Sequence, residues 1–391
     1  MPEHVVVVVG SNASLPEFTQ GQFWVIDFSS APTGAPTAVP VTTTTGVVVD
    51  CSGTLAAVAT TTPPFGGSTT VTIYDVSNPA TPRSIGSATL TSFGGVSAVS
   101  FYGGYVLAAE ANGSQVALID INDLDNPQTY PTGFDTVTDV TLFGSYAVVC
   151  GLAGGLQNAF QVVNTANLSS LVVNAATNVS PYNGDAYTGL ICDFDGTNAV
   201  FSDGLGLYAF NVSGGTPTAL SSFSALATSV AIAESGNSSG LPTGGVQVAY
   251  TAAGDANVEL QYVAPPVPPG TNWSGSSASL GDPNNVYGQP NAMNGGVAKF
   301  SRSIWGTSAL LAAAGVTETS GGAQEYVVSL FDLSAGGGSI QPMRQGARIP
   351  VSLATTATPN STLGLTTFFT FPRWFPPPMP PWPWLRSIGL G

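Results

Sequence analysis

Hydrolysis by a Ser-His-Asp triad needs an imidazole, and the single histidine of this chain, His4, stands just before the apolar run Val5 to Val9. A histidine beside a strand this near the N-terminus reads as an edge or exposed residue, not a general base. Paired carboxylates could instead cleave a glycosidic bond, one donating a proton while the other attacks or activates water. Asp185, Asp193, Asp195 and Asp203 fall near strand ends and are the candidates, although Asp at such places is also ordinary turn chemistry. Asp120, Asn122, Asp123 and Asp125 offer oxygen atoms at alternating spacing, as calcium loops do. They lack the glycine and the distal bidentate glutamate of an EF-hand, so turn formation is their expected role. The chain holds no zinc-ligand spacing and no glycine-rich phosphate cradle leading into a helix. Catalytic, cofactor-binding and metal-binding residues are therefore expected to be absent, and the chain is not expected to be an enzyme.

Composition narrows the partners. Seven Lys and Arg stand against 22 Asp and Glu, a formal charge of −15, and Lys299 is the only lysine. Nucleic-acid binding draws on a basic stripe that displaces counterions, and none is present. An anionic membrane surface would repel the chain for the same reason. Hydrophobic residues make up 43% of the 391 residues and charged ones 7%, so there is enough apolar material for a core, while solubility has to come from hydroxyls, amides and diffuse negative charge. That balance suits a protein working outside a cell or on the outside of a particle. Cys51, Cys150 and Cys192 each lie in an apolar run without CxxC spacing. They read as buried free thiols, with one disulfide plus one free thiol as the alternative. No segment reaches the roughly 18 apolar residues of a transmembrane helix. Val5 to Val9 is too short for a signal-peptide core and has no basic lead, so export as part of a larger object such as a virus particle is one expectation.

The elements that would position any site are repeated strands. Val71 to Asp75, Val116 to Asp120, Phe23 to Asp27 and Val328 to Asp332 are β-prone runs, each ending in Asp. They recur at a period of roughly 40 to 50 residues with no helical period, which indicates a radial array of four-stranded blades. Val47 to Ala59, Ser97 to Ala109, Thr138 to Cys150, Leu190 to Phe201 and Val297 to Ala313 each contain two apolar strands around a glycine turn and read as the first two strands of five blades. The fourth strands are short and polar, as in Arg83 to Leu90. A less regular blade spans about Thr228 to Leu280. The fold class is therefore all-β: a single β-propeller of about seven four-stranded blades over residues 1–371, with an insertion loop at about 264–295 that starts in Pro265, Pro266, Pro268 and Pro269 and is not expected to be regular sheet.

The first blade begins one strand late, with His4 to Val9, Phe23 to Phe28 and Thr37 to Val41. Leu363 to Phe371 is a β-prone run without a partner of its own, and pairing it into that blade would close the ring by the C-terminal strand. Residues 372–391 form a separate proline- and aromatic-rich tail. Its consecutive prolines favour polyproline II, a preformed segment that loses little entropy on docking. Trp374, Phe375, Trp382, Trp384 and Leu385 are its candidate partner-binding residues, either against a neighbouring subunit or folded back as an internal seal.

The passage Ile73-Tyr74-Asp75-Val76-Ser77-Asn78-Pro79, followed by Pro82, resembles the LVIVD-type repeat of bacterial seven-bladed β-propellers; Asp120 to Pro127 carries a stretched version. The resemblance implies a surface or extracellular propeller and supplies no catalytic residues. Together these readings point to a structural or attachment subunit of a virion or extracellular surface assembly with other protein subunits as partners. The alternative is a secreted or surface propeller that binds a glycan or protein ligand. Asn-x-Ser/Thr triplets at Asn12, Asn112, Asn167, Asn178, Asn211, Asn237, Asn272 and Asn360 are candidate glycosylation sites.

Overall fold

In a computed structural model of the chain, the described residues are 4–12, 22–28, 37–42, 47–61, 68–154, 157–165, 177–178, 190–213, 217–225, 227–232, 246–252, 257–263, 274–279, 297–300, 310–318, 324–332, 341–342, 347–350 and 360–368. Among them every regular element is a β-strand, and no helix is long and apolar enough to cross a membrane. Val, Ile, Thr and aromatic residues dominate these strands, the types that fit a pleated, packed surface.

Strands β1 (His4–Asn12), β2 (Gln22–Asp27) and β3 (Thr37–Thr42) pair antiparallel in sequence order. The next sheet holds β4 (Val47–Ser52), β5 (Leu55–Thr61), β6 (Thr69–Asp75) and β7 (Arg83–Leu90). A third holds β8 (Val96–Tyr102), β9 (Tyr105–Glu110), β10 (Gln115–Asp120) and β11 (Gln128–Pro131). The fourth contains β12 (Thr136–Phe143), β13 (Tyr146–Ala153), β14 (Gln157–Asn164) and β15 (Thr177–Asn178). The fifth is β16 (Ile191–Phe194), β17 (Asn198–Ser202), β18 (Gly206–Asn211) and β19 (Thr218–Ser224). The sixth follows with β20 (Ala227–Ile232), β21 (Val246–Ala252), β22 (Asn257–Val263) and β23 (Ser274–Ser279). In the last sheet β24 (Val297–Phe300), β25 (Leu310–Glu318), β26 (Gln324–Asp332) and β27 (Gln341–Pro342) run in order, and β28 (Ala347–Pro350) also pairs with β26. Finally β29 (Asn360–Phe368) returns to β1, in a register from His4↔Phe368 to Asn12↔Asn360.

Two expectations change in detail. The strand paired with β1 begins three residues earlier than Leu363, because the nine-residue ladder of β1 extends the pairing to Asn360. The span expected as an insertion loop, about 264–295, contains β23, which pairs with β22 from Tyr262↔Ser274 to Asn257↔Ser279. A Ser-Gly-Ala run has little strand preference of its own, and the free edge of β22 supplies the hydrogen bonds that order it. The rest of that span lies outside the described residues.

The burial pattern explains the long apolar runs. In β9, Val106 to Ala109 are all buried, and in β10 Val116 to Ile119 are all buried. Alternate residues of one strand serve different cores. Val106, Ala108, Ala117 and Ile119 join the core shared with the second sheet, whereas Leu107, Ala109, Val116 and Leu118 join the core shared with the fourth. Likewise Val48, Ala57 and Ala59 face one neighbour while Val49, Cys51, Ala56 and Val58 face the other. Both faces of these sheets are thus covered, and the outer strand β7 shows the alternating exposure of a half-solvated sheet.

The first strands bend at a recurring place. Register shifts occur between Val96 and Ala98 in β8, Val137 and Asp139 in β12, and Ala227 and Ser229 in β20. Such bulges increase local twist. Opposite the β12 bulge lies Gly151, where an added Cβ would sit 2.5 Å from the Thr136 carbonyl oxygen and 2.7 Å from Phe134 Cγ. A backbone atom cannot swing aside as a flexible side chain does. Gly151→Ala is therefore expected to lower the unfolding free energy by about 1–3 kcal/mol, read from the denaturant midpoint; an unchanged midpoint would show that the bulge yields.

Candidate functional site

Four residues recur three positions before the glycine of the turn between first and second strands: Asp50 before Gly53, Ser100 before Gly103, Thr141 before Gly144 and Asp193 before Gly196. Those glycines have φ of 58°, 59°, 60° and 95°, a region that glycine occupies without strain. The spacing places all four polar side chains at one level of the first strands, and all are buried, Asp50 and Asp193 to 2% exposure. Burial of a polar group costs stability unless it is hydrogen-bonded. Here the partner is the backbone of the next sheet. The Phe101 N–H donates to Asp50 Oδ2 at 2.8 Å, the Leu142 N–H to Ser100 Oγ at 2.8 Å and the Ile232 N–H to Asp193 Oδ2 at 3.0 Å. Thr141 Oγ1 donates to Asp193 Oδ1 at 3.2 Å. Two residues below this level, Asp139 Oδ2 accepts from the Cys192 N–H at 2.8 Å, and the bulged Thr138 donates from Oγ1 to the Leu190 carbonyl at 2.6 Å. The candidate carboxylate Asp193 is therefore part of a belt of inter-sheet clamps. Reading each strand alone missed the belt; the repeated polar-x-x-Gly spacing was the available signal.

Asp195 and Asp203 close turns. Asp195 Oδ1 accepts from the backbone N–H groups of Thr197 at 2.8 Å and Asn198 at 2.6 Å. Asp203 Oδ1 accepts from Leu205 at 2.9 Å and Gly206 at 2.8 Å, and its Oδ2 accepts from the Tyr208 hydroxyl at 3.1 Å. These turns cap opposite ends of β17, a strand that spans roughly 16 Å at ~3.3 Å per residue. Glycosidase carboxylates stand about 5–9.5 Å apart, so the structure does not bring this pair together. Asp185 lies outside the described residues.

In the Asp120 turn, Asp120 Oδ1 accepts from the Asn122 N–H at 2.9 Å and from its Nδ2 at 3.0 Å, while Asn126 Nδ2 donates to Asp123 Oδ1 at 2.8 Å. The matching turn after β6 uses Asp75, whose Oδ1 accepts from the Ser77 N–H at 3.0 Å. The Ser77 hydrogen bond holds the Asp75 carboxyl below its ordinary value, helped by Arg83 at 3.5 Å. All three cysteines are free and buried. Burial pushes the Cys150 thiol up and the Cys192 thiol further, with Asp139 adding to both. His4 begins β1 opposite Phe368. Of the Asn-x-Ser/Thr sites, Asn112 is exposed in a turn at φ 55°, whereas Asn211 Nδ2 is bonded to Asn198 Oδ1. Asn12, Asn178 and Asn360 lie within β1, β15 and β29, and Asn167, Asn237 and Asn272 lie outside the described residues. Trp374, Phe375, Trp382, Trp384 and Leu385 lie outside them as well.

One more constellation stands at the turn end of the first strands. Tyr102 and Tyr105 flank the β8–β9 turn, and Phe143 and Tyr146 flank the β12–β13 turn. Tyr102 packs on Phe143 at 4.5 Å between ring centroids, and Phe143 meets Phe194 edge-on at 6.3 Å. Phe143 also lies over Gly196, where a Cβ would come within 2.7 Å of the ring. This aromatic arc joins three consecutive sheets and leaves Tyr146 41% exposed.

Consecutive antiparallel four-stranded sheets, packed face to face and clamped through their first strands, match solved structures across almost the whole chain. A protein of Bacteroides uniformis provisionally described as a 6-phosphogluconolactonase aligns with a TM-score of 0.55 and 12% identity, over 92% of this chain and 99% of its own. A Bacteroides fragilis protein of the same description gives 0.54 and 13%, over 93% and 98%. The fold is a β-propeller. A chain in the mitotic checkpoint complex aligns at 0.50 and 11%, over 82% of this chain and 85% of its own. At these identities the likeness speaks for the fold alone, and the fold hosts both enzymes and binding proteins. No protein-family model matches the chain, and no curated protein matches it in sequence.

Two outcomes test the belt and the turns. Asp193→Ala removes the acceptor of the buried Ile232 N–H and is expected to destabilise the propeller by about 1–3 kcal/mol in equilibrium unfolding; wild-type stability would free Asp193 for another role. Because the folded Asp75 carboxyl titrates below its unfolded value of 3.8, its contribution is present above that pH and lost as pH falls through the lower folded value. The Tm gap between wild type and Asp75→Asn should therefore shrink on acidification; a gap that widens would reverse the sign.

Proposed function

We propose that this chain is a non-catalytic structural or attachment subunit of a virion or extracellular surface assembly, with its proline- and aromatic-rich tail contacting a neighbouring subunit. The observation that carries the reading is the use of the candidate carboxylates. Asp193 clamps a neighbouring sheet, and Asp195, Asp203 and Asp120 close turns, each accepting hydrogen bonds from the scaffold. The side chains best suited to chemistry are engaged in holding the scaffold. The charge-poor composition, at 7% charged residues, and the tail of tryptophan and proline support an assembly role.

In this reading the seven sheets are seven blades of one ring closed by β29. Its support is that successive first strands touch one another from β4 through β8, β12, β16, β20 and β24, and that β29 touches both β24 and β4. The Asp75 turn, with its Ser77, Asn78 and Pro79, supports kinship with the LVIVD-type propellers.

The tail test uses Trp382→Ser with Trp384→Ser. Four large aromatic side chains left in water forgo roughly 1.5–3 kcal/mol each of burial, which gives the tail a strong reason to dock. The double variant should fold with an unchanged Tm and lose assembly by sedimentation velocity. Normal assembly with a lowered Tm would make the tail an internal seal. Deleting residues from Leu363 onward should separately abolish cooperative unfolding; a transition as sharp and as high as that of the full chain would overturn closure.

A further inference from the structure

The aromatic arc and the point where the chain leaves its last described strand lie on the same face. In β8 and β9, Tyr102 pairs with Tyr105 at the turn, and in β12 and β13 Phe143 pairs with Tyr146. In the sheet that joins both ends of the chain, the equivalent pair is Phe368 with His4. The 23 residues after Phe368 therefore start at the level of the arc. The Asp120 turn is there too, because Asp120 pairs with Tyr105, and Asp123 and Asp125 are exposed beside it.

The two surfaces complement each other. Residues 369–391 contain Arg373 and Arg386 and no Asp or Glu. Subtracting their +2 from the total of −15 leaves −17 on the rest of the chain. Proline-rich segments in polyproline II dock on aromatic-lined surfaces, where the pyrrolidine rings lie against Tyr and Trp faces. A polyproline II segment of 14 residues, the number from Phe368 to Trp382, would reach roughly 43 Å at about 3.1 Å per residue, enough to cross to a facing molecule. Donor and acceptor on one face is also what a two-fold, self-complementary interface requires, since each copy then gives a tail and receives one.

We propose that the tail docks on the aromatic arc of Tyr102, Tyr105, Phe143 and Tyr146 in a second copy of this chain, its arginines facing the Asp120 to Asp125 turn. This rests on the reading that the tail joins subunits, and it names the receiving surface.

The test compares full-length chains by sedimentation velocity and thermal unfolding. Tyr146→Glu puts a charge on the most exposed ring, and Ser145→Glu puts one in the exposed turn beside it without altering a packed ring. Both should keep the wild-type Tm and shift the assembled species to monomer, with self-association at least tenfold weaker; Ser145→Glu answers the question if Tyr146→Glu fails to fold. Trp382→Ser with Trp384→Ser should match them. If the tail variant dissociates while both arc variants assemble as wild type does, the arc is not the receptor, and the tail's role in joining subunits stands. If the tail variant remains assembled, the attachment reading itself fails. A wild-type monomer whose Tm falls in both tail and arc variants would place the tail on its own arc, overturning docking between copies.

Discussion

The second to fifth sheets bury both of their faces, and much of the described structure follows from that requirement. Alternation along β5, β9 or β10 does not separate core from solvent; it separates one core from the next, so that Val58 and Ala57 serve different neighbours. A sheet removed from this array would expose two apolar faces at once. At about 25 cal/mol per Å2, neither face could be left in water without a large loss. Stability is thus a property of neighbouring pairs, as in other stacked repeats. Because apolar packing alone is tolerant of sliding, something directional has to fix the offset between sheets. The buried carboxylates and hydroxyls of the first strands do so, since an N–H bonded at 2.8 Å to Asp50 admits no shift of a residue.

Much of this was legible in the chain. Strand existence and order followed from β-branched runs and glycine turns, and Arg83–Leu90 was found with its boundaries intact. What failed to show were features that depend on a partner. β23 is Ser, Gly and Ala, and it is a strand only because β22 presents an open edge. Asp193 looked like a strand-end carboxylate, and its bond to Ile232, 39 residues away, cannot be seen from either segment. The aromatic arc was likewise invisible, because Tyr102 and Phe143 are 41 residues apart in sequence and meet only when their sheets stack. Asp195 and Asp203, by contrast, could be read either way from sequence, and the turn reading holds because Oδ1 of each meets backbone N–H groups within three residues.

The same division separates scaffold from surface. The polar groups that clamp the sheets together are buried and paired, whereas Tyr146, Asp123 and Asp125 are exposed at the turn end. Exposed turn residues of this kind can vary without loosening the sheets beneath.

The pairing of β1 with β29 also sets an order of events during synthesis. Asn12 meets Asn360, a partner made 348 residues later. At roughly 5–20 residues per second, that is a wait on the order of 20–70 seconds. Until then β1, with five consecutive valines and no Lys, Arg, Asp or Glu, presents a bare row of N–H and C=O groups on the edge away from β2. Such a segment is a template for pairing with other unfinished chains. In the interval before the last strand emerges, that edge is open to pairing with another chain.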